Sequence, residues 1–421
     1  MKIKLRKERI WGFLIVVTVF VVCLSSYGRA AQKRVVTIWT DGTEEAQSKI
    51  VEENFEKIHP DIDLKFEVIP YSDLATKEMV ACKSKTGPDI MWQSYAWTNS
   101  FAKMGLLAPY NKWLAKSKAI DLKKDFNAVA LELGTVDGKT YGLPWKQEAM
   151  GLIYNKQMFR EAGLNPDNPP TTWDQVIDYA KKLTKGDQFG YGLVGNAPGN
   201  MWFRFVPELW SAGTDVTNKD MTKSLLNSAQ AKAAATYYTD LLLKYKVAPQ
   251  GSINNNSGDV RTLFINKKVA MYIDGLPAVT TIHKDAPDID IGVGLWPGKN
   301  GPAKAPLGGY YLVSPKNAPN LKDAWTFIEY FLSEDVQAMY PAGFPGRVSA
   351  RQAKRFSDEL SQKFAKQLES TRNFLPLADT PKAQEIIMNE LQAILTGSKD
   401  VNRAMNDAKI EIDATLKPKG K

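Results

Sequence analysis

The chain has 421 residues, of which 44% are hydrophobic and 24% charged, an ordinary globular composition at a length that buries full cores. The formal net charge is +9, but residues 1–31 hold six basic side chains and one acidic side chain, so the remainder carries +4. Because this charge is spread along helical patterns, it indicates no nucleic-acid-binding surface.

Residues 1–31 have the order of parts of a secretory signal peptide. The basic start MKIKLRKER precedes the apolar stretch 10–26, and small residues follow around Ala30. The alternative is an uncleaved membrane anchor, although the apolar stretch is shorter than the ~20 residues that a spanning helix needs. Without residues 1–31 only Cys82 remains, so no internal disulfide can form.

The first part of the mature chain alternates between strand and helix patterns. The β-branched run 34–42 predicts a strand closed by an Asp-Gly turn, and 44–58 repeats apolar residues near the helical period. Residues 62–70 alternate like a strand, 73–84 again favour a helix, and 88–93 predict a third strand. This order is typical of a parallel α/β sheet.

Similar patterns recur over the rest of the chain. In the helix that begins near Trp173, Thr172 is predicted as the N-cap and Gln175 as its capping-box partner. The α/β pattern runs twice, which favours two lobes. The further predictions, in chain order, are strands near 141–145 and 151–155, a helix over 224–245, a helix and strand within 259–275, a strand within 305–315, one helix over 321–340, and mostly helix from 352 to 416.

Catalytic and metal-binding motifs are scarce. His59 and His283 have no second histidine or cysteine at metal-ligand spacing, so no zinc site is predicted. The chain contains no G-x-S-x-G, H-E-x-x-H or P-loop motif, and we expect no cofactor. Carboxylates are abundant, so a secreted carbohydrate-processing enzyme with two catalytic carboxyl groups stays an alternative.

Aromatic residues stand beside amide or carboxylate residues at several predicted strand ends. Ligands of open α/β sheets bind beyond the carboxyl ends of the strands. A Trp or Tyr ring stacks on the apolar face of a pyranose, while Asp, Glu, Asn or Gln accept hydrogen bonds from its hydroxyl groups. Core packing explains any single tryptophan equally well, but the set favours a sugar-binding site. The set comprises residues 39–42, 93–97, 145–148, 200–202, 274–275 and 308–311.

The stretch DGKTYGLPWKQEAMGLIYNKQMFREAGLNPDNPPTTWDQVIDYAKKL (137–183) is similar to the family 1 extracellular solute-binding proteins, the maltose-binding-protein-like receptors of ABC importers. TGPDIMWQ, GLLAPYNKWL, FINKKVAMYIDG and GGYYLVSPKNAPNLKDAWTFIEYFLS fit the same family in the same order. The resemblance implies an α/β fold of the two-lobe periplasmic binding protein type (type II), with hinge-linked lobes. The lobes would be 32–147 with 294–332, and 148–293 with 333–421.

The resemblance also implies a set of ligand-binding residues in the cleft between the lobes. Trp92, by contrast, is equally well explained as a core residue of its strand. The implied set is Asp41, Glu44, Gln93, Ser94, Tyr95, Trp97, Glu148, Gly309 and Tyr310 around the first lobe, Trp202 and Asp274 in the second lobe, and Arg347 in a Pro-x-Arg element.

These expectations together describe a secreted, periplasmic, monomeric protein that binds a sugar or short oligosaccharide and delivers it to an ABC permease. A non-sugar solute is the alternative for the same fold: a glycerol phosphoester, a polyamine or thiamine. Lys146 and Arg347 keep a phosphate ligand open, because phosphate favours convergent cations. The carboxylates Asp41, Glu44, Glu148 and Asp274 keep a polyamine open.

Overall fold

The computed structural model describes residues 33–42, 45–84, 86–340 and 343–416. The predicted signal peptide and the candidate ligand residue Glu44 lie outside the described residues.

Strands and helices alternate along much of the chain, as the periodicity predicts. The strands are β1 (Arg34–Thr40), β2 (Ile62–Val68), β3 (Ile90–Ser94), β4 (Thr135–Val136), β5 (Lys139–Thr140), β6 (Gly142–Glu148), β7 (Met150–Asn155), β8 (Phe189–Gly192), β9 (Val269–Gly275), β10 (Ile291–Gly294), β11 (Ala305–Pro306), β12 (Gly308–Val313), β13 (Phe344–Pro345) and β14 (Thr371–Arg372).

The helices fall between these strands and fill the C-terminal part. They are α1 (Glu45–Ile58), α2 (Tyr71–Ser84), α3 (Tyr95–Lys103), α4 (Asn111–Leu114), α5 (Leu122–Asp125), α6 (Ala128–Glu132), α7 (Lys156–Glu161), α8 (Trp173–Leu183), α9 (Pro198–Ser211), α10 (Ala229–Leu243), α11 (Ser257–Ile265), α12 (Leu276–Asp285), α13 (Leu321–Phe331), α14 (Glu334–Met339), α15 (Glu359–Glu369), α16 (Thr380–Leu395) and α17 (Val401–Leu416), with 3-10 turns at Gln250–Asn254, Ser349–Gln352 and Lys354–Phe356.

The first sheet has six strands in the order β13-β6-β12-β3-β1-β2. The strand β1 pairs in parallel with β2 and with β3, which confirms the predicted parallel arrangement of the first three strands. The later strand β12 pairs antiparallel with both β3 and β6, so the complete sheet is mixed. All five residues of β3 are buried, as expected for a central strand covered on both faces.

The second sheet has four strands in the order β10-β7-β9-β8. The strand β8 is parallel to β9, whereas β7 is antiparallel to both of its neighbours. The helix α8 packs beside this sheet and begins at the predicted N-cap, because Thr172 Oγ1 accepts a hydrogen bond from the Gln175 amide. The reciprocal bond differs from the predicted capping box: Gln175 Oε1 accepts from the amide of Thr171.

The chain passes between the sheets at three places. Ala149 alone separates β6 of the first sheet from β7 of the second. The second passage joins β10 to β12, and the third follows β13. The helix α14 and the strand β13 lie with the first sheet, because Val336 and Tyr340 belong to its core and β13 pairs with β6. The predicted lobe boundary at residue 332 therefore falls too early.

The predicted helix over 321–340 is two helices. The helix α13 ends at Phe331 with Leu332 as its C-cap, and α14 begins after Ser333, whose extended backbone interrupts the helical hydrogen bonds. This break turns α14 so that Tyr340 reaches Ser48, and the two hydroxyl groups lie 2.7 Å apart.

Trp92 belongs to the core of the first lobe. Its side chain is 1% exposed, and the ring centroid lies 4.4 Å from that of Trp145. Burial of one large apolar side chain stabilises the fold by roughly 1.5–3 kcal/mol. The core interpretation of this tryptophan is thus the correct one.

Candidate functional site

The carboxyl ends of β1, β3 and β6 and the beginning of β12 meet at one edge of the first sheet. The register places Tyr310 opposite both Ser94 and Lys146, and it places Gly308 opposite Glu148. Asp41, just after β1, accepts a 2.6 Å hydrogen bond from the hydroxyl of Tyr310. We call this edge, formed by Asp41, Ser94, 146–148 and 308–310, the cleft edge.

A glycine is required within the cleft edge. Gly309 has a φ of 137°, and a Cβ at this position would lie 2.1 Å from the carbonyl oxygen of Lys146. The ladder between β12 and β6 shifts register between Tyr310 and Tyr311. Because Gly309 has no side chain, the backbones of β12 and β6 can approach closely beside this bulge, and the next residue, Tyr310, bonds to Asp41.

Tyr310 is the partly exposed ring of the cleft edge. The ammonium of Lys146 lies 5.6 Å from its ring centroid and 3.0 Å from a carboxylate oxygen of Glu148. Lys146 itself is buried, whereas Glu148 is partly exposed. The arrangement presents the ring of Tyr310 beside the carboxylate of Glu148 and the ammonium of Lys146. An aromatic face and charged hydrogen-bonding groups are the groups that recognise a polyhydroxylated ligand.

Ser94 and Tyr95 connect the cleft edge to helix α3. The Ser94 hydroxyl caps α3 by accepting a hydrogen bond from the Ala96 amide. Tyr95 is 2% exposed, and its ring stacks on that of Tyr311 at 4.1 Å. Burial raises the pKa of Tyr95 well above its usual value, so its hydroxyl stays neutral and able to donate. That hydroxyl has no hydrogen-bond partner among the described residues.

Gln93 and Trp97 donate hydrogen bonds to the same buried acid, Glu78, which was not among the residues predicted from the sequence. The side-chain amide of Gln93 and the indole N–H of Trp97 both donate to Glu78 Oε2, at 3.0 and 2.9 Å. Burial raises the pKa of Glu78 to about 8, so the group is a neutral carboxylic acid at pH 7. Helix α2, which holds Glu78, carries no distinctive motif.

Asp274, at the end of β9, lies in a network of two arginines. Its carboxylate oxygens are 3.2 Å from Arg261 Nη2 and 3.8 Å from Arg204 Nη2. The Arg204 guanidinium also donates twice to the carbonyl of Ile273. The charge of Asp274 is therefore compensated within the second lobe, by two residues that sequence reasoning missed.

Trp202 and its neighbour Phe203 have different environments on helix α9. Trp202 is 2% exposed, and its ring centroid lies 5.4 Å from that of Phe374. Phe203 is partly exposed, and its Cε1 lies 3.8 Å from the position of a Cβ on Gly308. Phe203 thus lies near Gly308 of the cleft edge, whereas Trp202 is buried.

Arg347 lies away from the cleft edge. Its guanidinium pairs with Asp125 at 3.0 Å and donates to the carbonyl of Leu332 at 2.8 Å. Arg351, one turn further along the chain, donates instead to Gln147 Oε1 at 2.9 Å and so adjoins the cleft edge. The sequence does not tell which of the two arginines adjoins the cleft edge, and only their hydrogen-bond partners in the structure distinguish them.

The structure thus places five of the predicted residues at one edge of the first sheet. Asp41, Ser94, Glu148, Gly309 and Tyr310 share the cleft edge directly. Gln93, Tyr95 and Trp97 stand next to it, while Asp274 and Trp202 belong to the second lobe. Among the described residues, no three His, Cys, Asp or Glu side chains cluster as a metal site requires, and no helix there is long and apolar enough to span a membrane.

Comparisons with known proteins agree with this architecture. The family model of bacterial extracellular solute-binding proteins matches residues 39–338. A binding protein of Brucella abortus is 28% identical over 378 residues, covering 87% of this chain and 89% of that protein. The maltotriose-binding protein of Pyrococcus abyssi is 26% identical over 285 residues, covering 66% of this chain and 58% of that protein.

A solved structure gives a likeness over nearly the whole chain. An ABC transporter solute-binding protein from Thermotoga lettingae, bound with α-D-tagatose, is 28% identical with a TM-score of 0.82. The match covers 91% of this chain and 100% of that one. The chain belongs to the bacterial extracellular solute-binding proteins and has their two-lobe periplasmic binding-protein fold.

Proposed function

We propose that the protein is an extracytoplasmic receptor that binds a sugar or short oligosaccharide between its two sheets and delivers it to an ABC permease. The carrying observation is the cleft edge, where the strand-end loops bring an aromatic ring, carboxylates and a cation together. Tyr310 and Phe203 supply ring faces from the two lobes, while Asp41 and Glu148 supply hydrogen-bond acceptors. This combination suits a ring with an apolar face and a rim of hydroxyl groups.

Relatives support a sugar as the ligand class. The P. abyssi relative is a maltotriose-binding protein, and the T. lettingae structure holds α-D-tagatose. Maltotriose and tagatose are sugars of different size and configuration, and the feature that they share is a polyhydroxylated ring. The specificity then depends on which polar groups of this particular cleft remain unpaired when the ligand lacks a hydroxyl group.

The charges of the cleft weigh against a polyamine. A polyamine requires carboxylates that are free to pair with its ammonium groups. Glu148 is paired with Lys146, and Asp274 is paired with Arg204 and Arg261. Two of the four carboxylates that favour this alternative therefore have cationic partners already.

We also propose that the ligand leaves chemically unchanged, that the protein acts as a monomer, and that it works in the periplasm after removal of residues 1–31. Binding would shift the protein toward a closed state only to the extent that the ligand has higher affinity for that state. The permease would then recognise the closed state.

The first experiment measures tryptophan fluorescence and thermal shift of residues 32–421 against mono- and oligosaccharides, glycerol 3-phosphate, spermidine, putrescine and thiamine. Product analysis of each mixture accompanies the measurement. A saturable shift with one intact saccharide supports the proposal. A shift with cations alone overturns the sugar assignment, and shortened saccharides indicate an enzyme.

A tryptophan pair sharpens the result. Trp97→Ala removes a partly exposed ring next to the cleft edge, and we expect the saccharide Kd to rise by about tenfold or more. Trp113→Ala is the control, because Trp113 is also partly exposed but stacks on Trp325 in the first lobe. Equal effects of the two variants on Kd remove Trp97 from the site.

A further inference from the structure

Arg351 carries a charge that no carboxylate of the described residues neutralises. Its Nε donates to the carbonyl of Pro345 at 3.2 Å, and its Nη2 donates to Gln147 Oε1 at 2.9 Å and toward the carbonyl of Gly346 at 3.5 Å. All three acceptors are neutral. Burial lowers the pKa of Arg351 to about 10, and the guanidinium is still charged at pH 7.

Two buried donors accompany this charge. The Tyr95 hydroxyl and the Gln147 side-chain N–H group are both shielded from solvent, and neither has a hydrogen-bond partner among the described residues. The side-chain oxygen of Gln147 already accepts from the guanidinium, and the charge of Arg351 also acts on the Tyr95 hydroxyl. Buried polar groups are normally satisfied, so two orphaned donors beside one cation indicate a missing acceptor.

The neighbouring carboxylates do not neutralise the positive charge of Arg351, because they have other partners. Glu148 directly follows Gln147, and its carboxylate lies 3.0 Å from the ammonium of Lys146. Asp41 accepts from Tyr310 on the far side of the cleft edge. An oxygen-rich anion is therefore the group that matches the local charge and the donors together.

We propose that Tyr95, Gln147 and Arg351 form a subsite for a carboxylate or phosphate on the ligand. The inference rests on the proposed function and deepens it: the preferred solute is an acidic saccharide, such as a uronate or a sugar phosphate. The ring of the ligand occupies the cleft beside Tyr310, and its anionic group lies against Arg351.

The contrast with Arg347 argues against a merely structural role for Arg351. Arg347 also braces the segment after β13, and there the guanidinium is neutralised by Asp125 at 3.0 Å. A buried structural cation is normally paired in this way, because an unpaired one is costly. Arg351 lies four residues later and adjoins the cleft edge, and its partners among the described residues are all neutral.

The test uses ligand pairs that differ in charge: D-galacturonate with D-galactose, D-glucuronate with D-glucose, and glycerol 3-phosphate with glycerol. Calorimetric titration of residues 32–421 measures each Kd at low and high salt. We expect the acidic member of a saccharide pair to bind at least about tenfold more tightly, with an affinity that falls as salt rises.

Variants then assign the preference to the subsite. Arg351→Gln should abolish the preference for the acidic member, Arg351→Lys should retain part of it, and Tyr95→Phe should reduce it. Lys354→Gln is the matched control, because it removes one exposed positive charge three residues away and should leave the preference unchanged. Circular dichroism checks folding, and the Lys and Phe variants carry the test if Arg351→Gln does not fold.

Each outcome decides between specific alternatives. If neutral sugars bind as tightly as acidic ones and Arg351→Gln preserves both affinities, the subsite is overturned while the proposed function stands. If glycerol 3-phosphate alone binds, in an Arg351-dependent way, the subsite stands and the sugar assignment fails. If no acidic probe binds, the inference is wrong.

Discussion

Glu78 in the first lobe and Glu208 in the second lobe are buried glutamates that accept hydrogen bonds from tryptophan, and the two sites differ in where their donors lie. In the first lobe, Gln93 and Trp97 both donate to the same oxygen of Glu78. In the second lobe, Trp173 donates to Glu208 Oε2 at 2.5 Å and Trp296 donates to Oε1 at 3.0 Å. Burial raises the pKa of each acid to about 8.

The comparison separates an acid whose donors adjoin the cleft edge from an acid whose donors lie in the interior. The donors to Glu78 stand next to the cleft edge, and Trp97 is partly exposed. The donors to Glu208 lie in the interior, where Trp173 also stacks on Tyr237 at 4.4 Å. We therefore expect substitutions of Glu78 to affect the cleft edge, and substitutions of Glu208 to affect the packing of the second lobe.

The largest expected effect comes from Glu208→Leu. This change leaves the indole N–H groups of Trp173 and Trp296 without an acceptor, and each orphaned donor costs about 1–3 kcal/mol. We expect the free energy of unfolding to fall by roughly 2–6 kcal/mol, measured by urea denaturation. Glu208→Gln keeps one acceptor and should lose about half as much. An unchanged urea midpoint would contradict the role of Glu208 in the fold.

Stability should fall as the pH rises between about 4.5 and 8. An unperturbed glutamate has a pKa of 4.5, whereas the pKa of each buried acid in the folded state is about 8. Across this window the unfolded chain loses a proton that the folded chain keeps, so rising pH favours unfolding. The stabilising contribution is complete below pH 4.5 and is lost by about pH 8, at up to roughly 1.4 kcal/mol per pH unit for each group.

Urea denaturation across this pH range measures the slope. Glu208→Gln removes the titrating group and should reduce the slope by the share of one acid. If the slope of that variant equals the slope of the unsubstituted protein, Glu208 is ionised in the folded state.

Glu78→Met should weaken ligand binding and also lower stability. The change frees the Trp97 indole and the Gln93 amide, and the partly exposed indole can then bond to water. We expect a loss of roughly 1–3 kcal/mol in the free energy of unfolding. The saccharide Kd should rise by about tenfold as Trp97 loses its anchor. A Kd equal to that of the unsubstituted protein would show that Trp97 needs no anchor.

The smallest expected effect is that of Glu78→Gln. Its carboxamide oxygen can accept both hydrogen bonds, because both donors already share Oε2. We therefore expect a change in stability of less than about 1 kcal/mol and a Kd within about twofold of the unsubstituted value. The same substitution at Glu208 removes an acceptor. Equal losses for the two glutamine variants would erase the difference between the lobes.

Local patterns were sufficient for most elements and for the loops of the cleft. The β-branched run of β1 and the alternation of β2 predict strands because a strand repeats every two residues, and both are present. The break at Ser333 escaped this reasoning, since the apolar stripe continues across it. The N-cap at Thr172 was correct because a cap depends only on its own first turn.

Individual side chains of the cleft were less accessible to the same reasoning. Trp202 and Phe203 are neighbours with similar apolar character, and the orientation of α9 decides that Phe203 lies near the cleft edge. Arg347 belongs to the Pro-x-Arg element from which a cleft position was predicted. It pairs instead with Asp125, a residue distant in sequence, and lies away from the cleft edge.

The sequence by itself determined the order of strands and helices, the family of the protein, and the loops that end in aromatic and polar residues. These follow from periodicity, turn chemistry and motifs, which act over a few residues. The tertiary structure alone decided which charges are compensated: Glu148 by Lys146, Asp274 by Arg204 and Arg261, and Arg351 by no carboxylate of the described residues. Electrostatic partners depend on distance in space, and the approach of α9 and α11 to β9, and of the segment after β13 to β6, is a property of the whole fold.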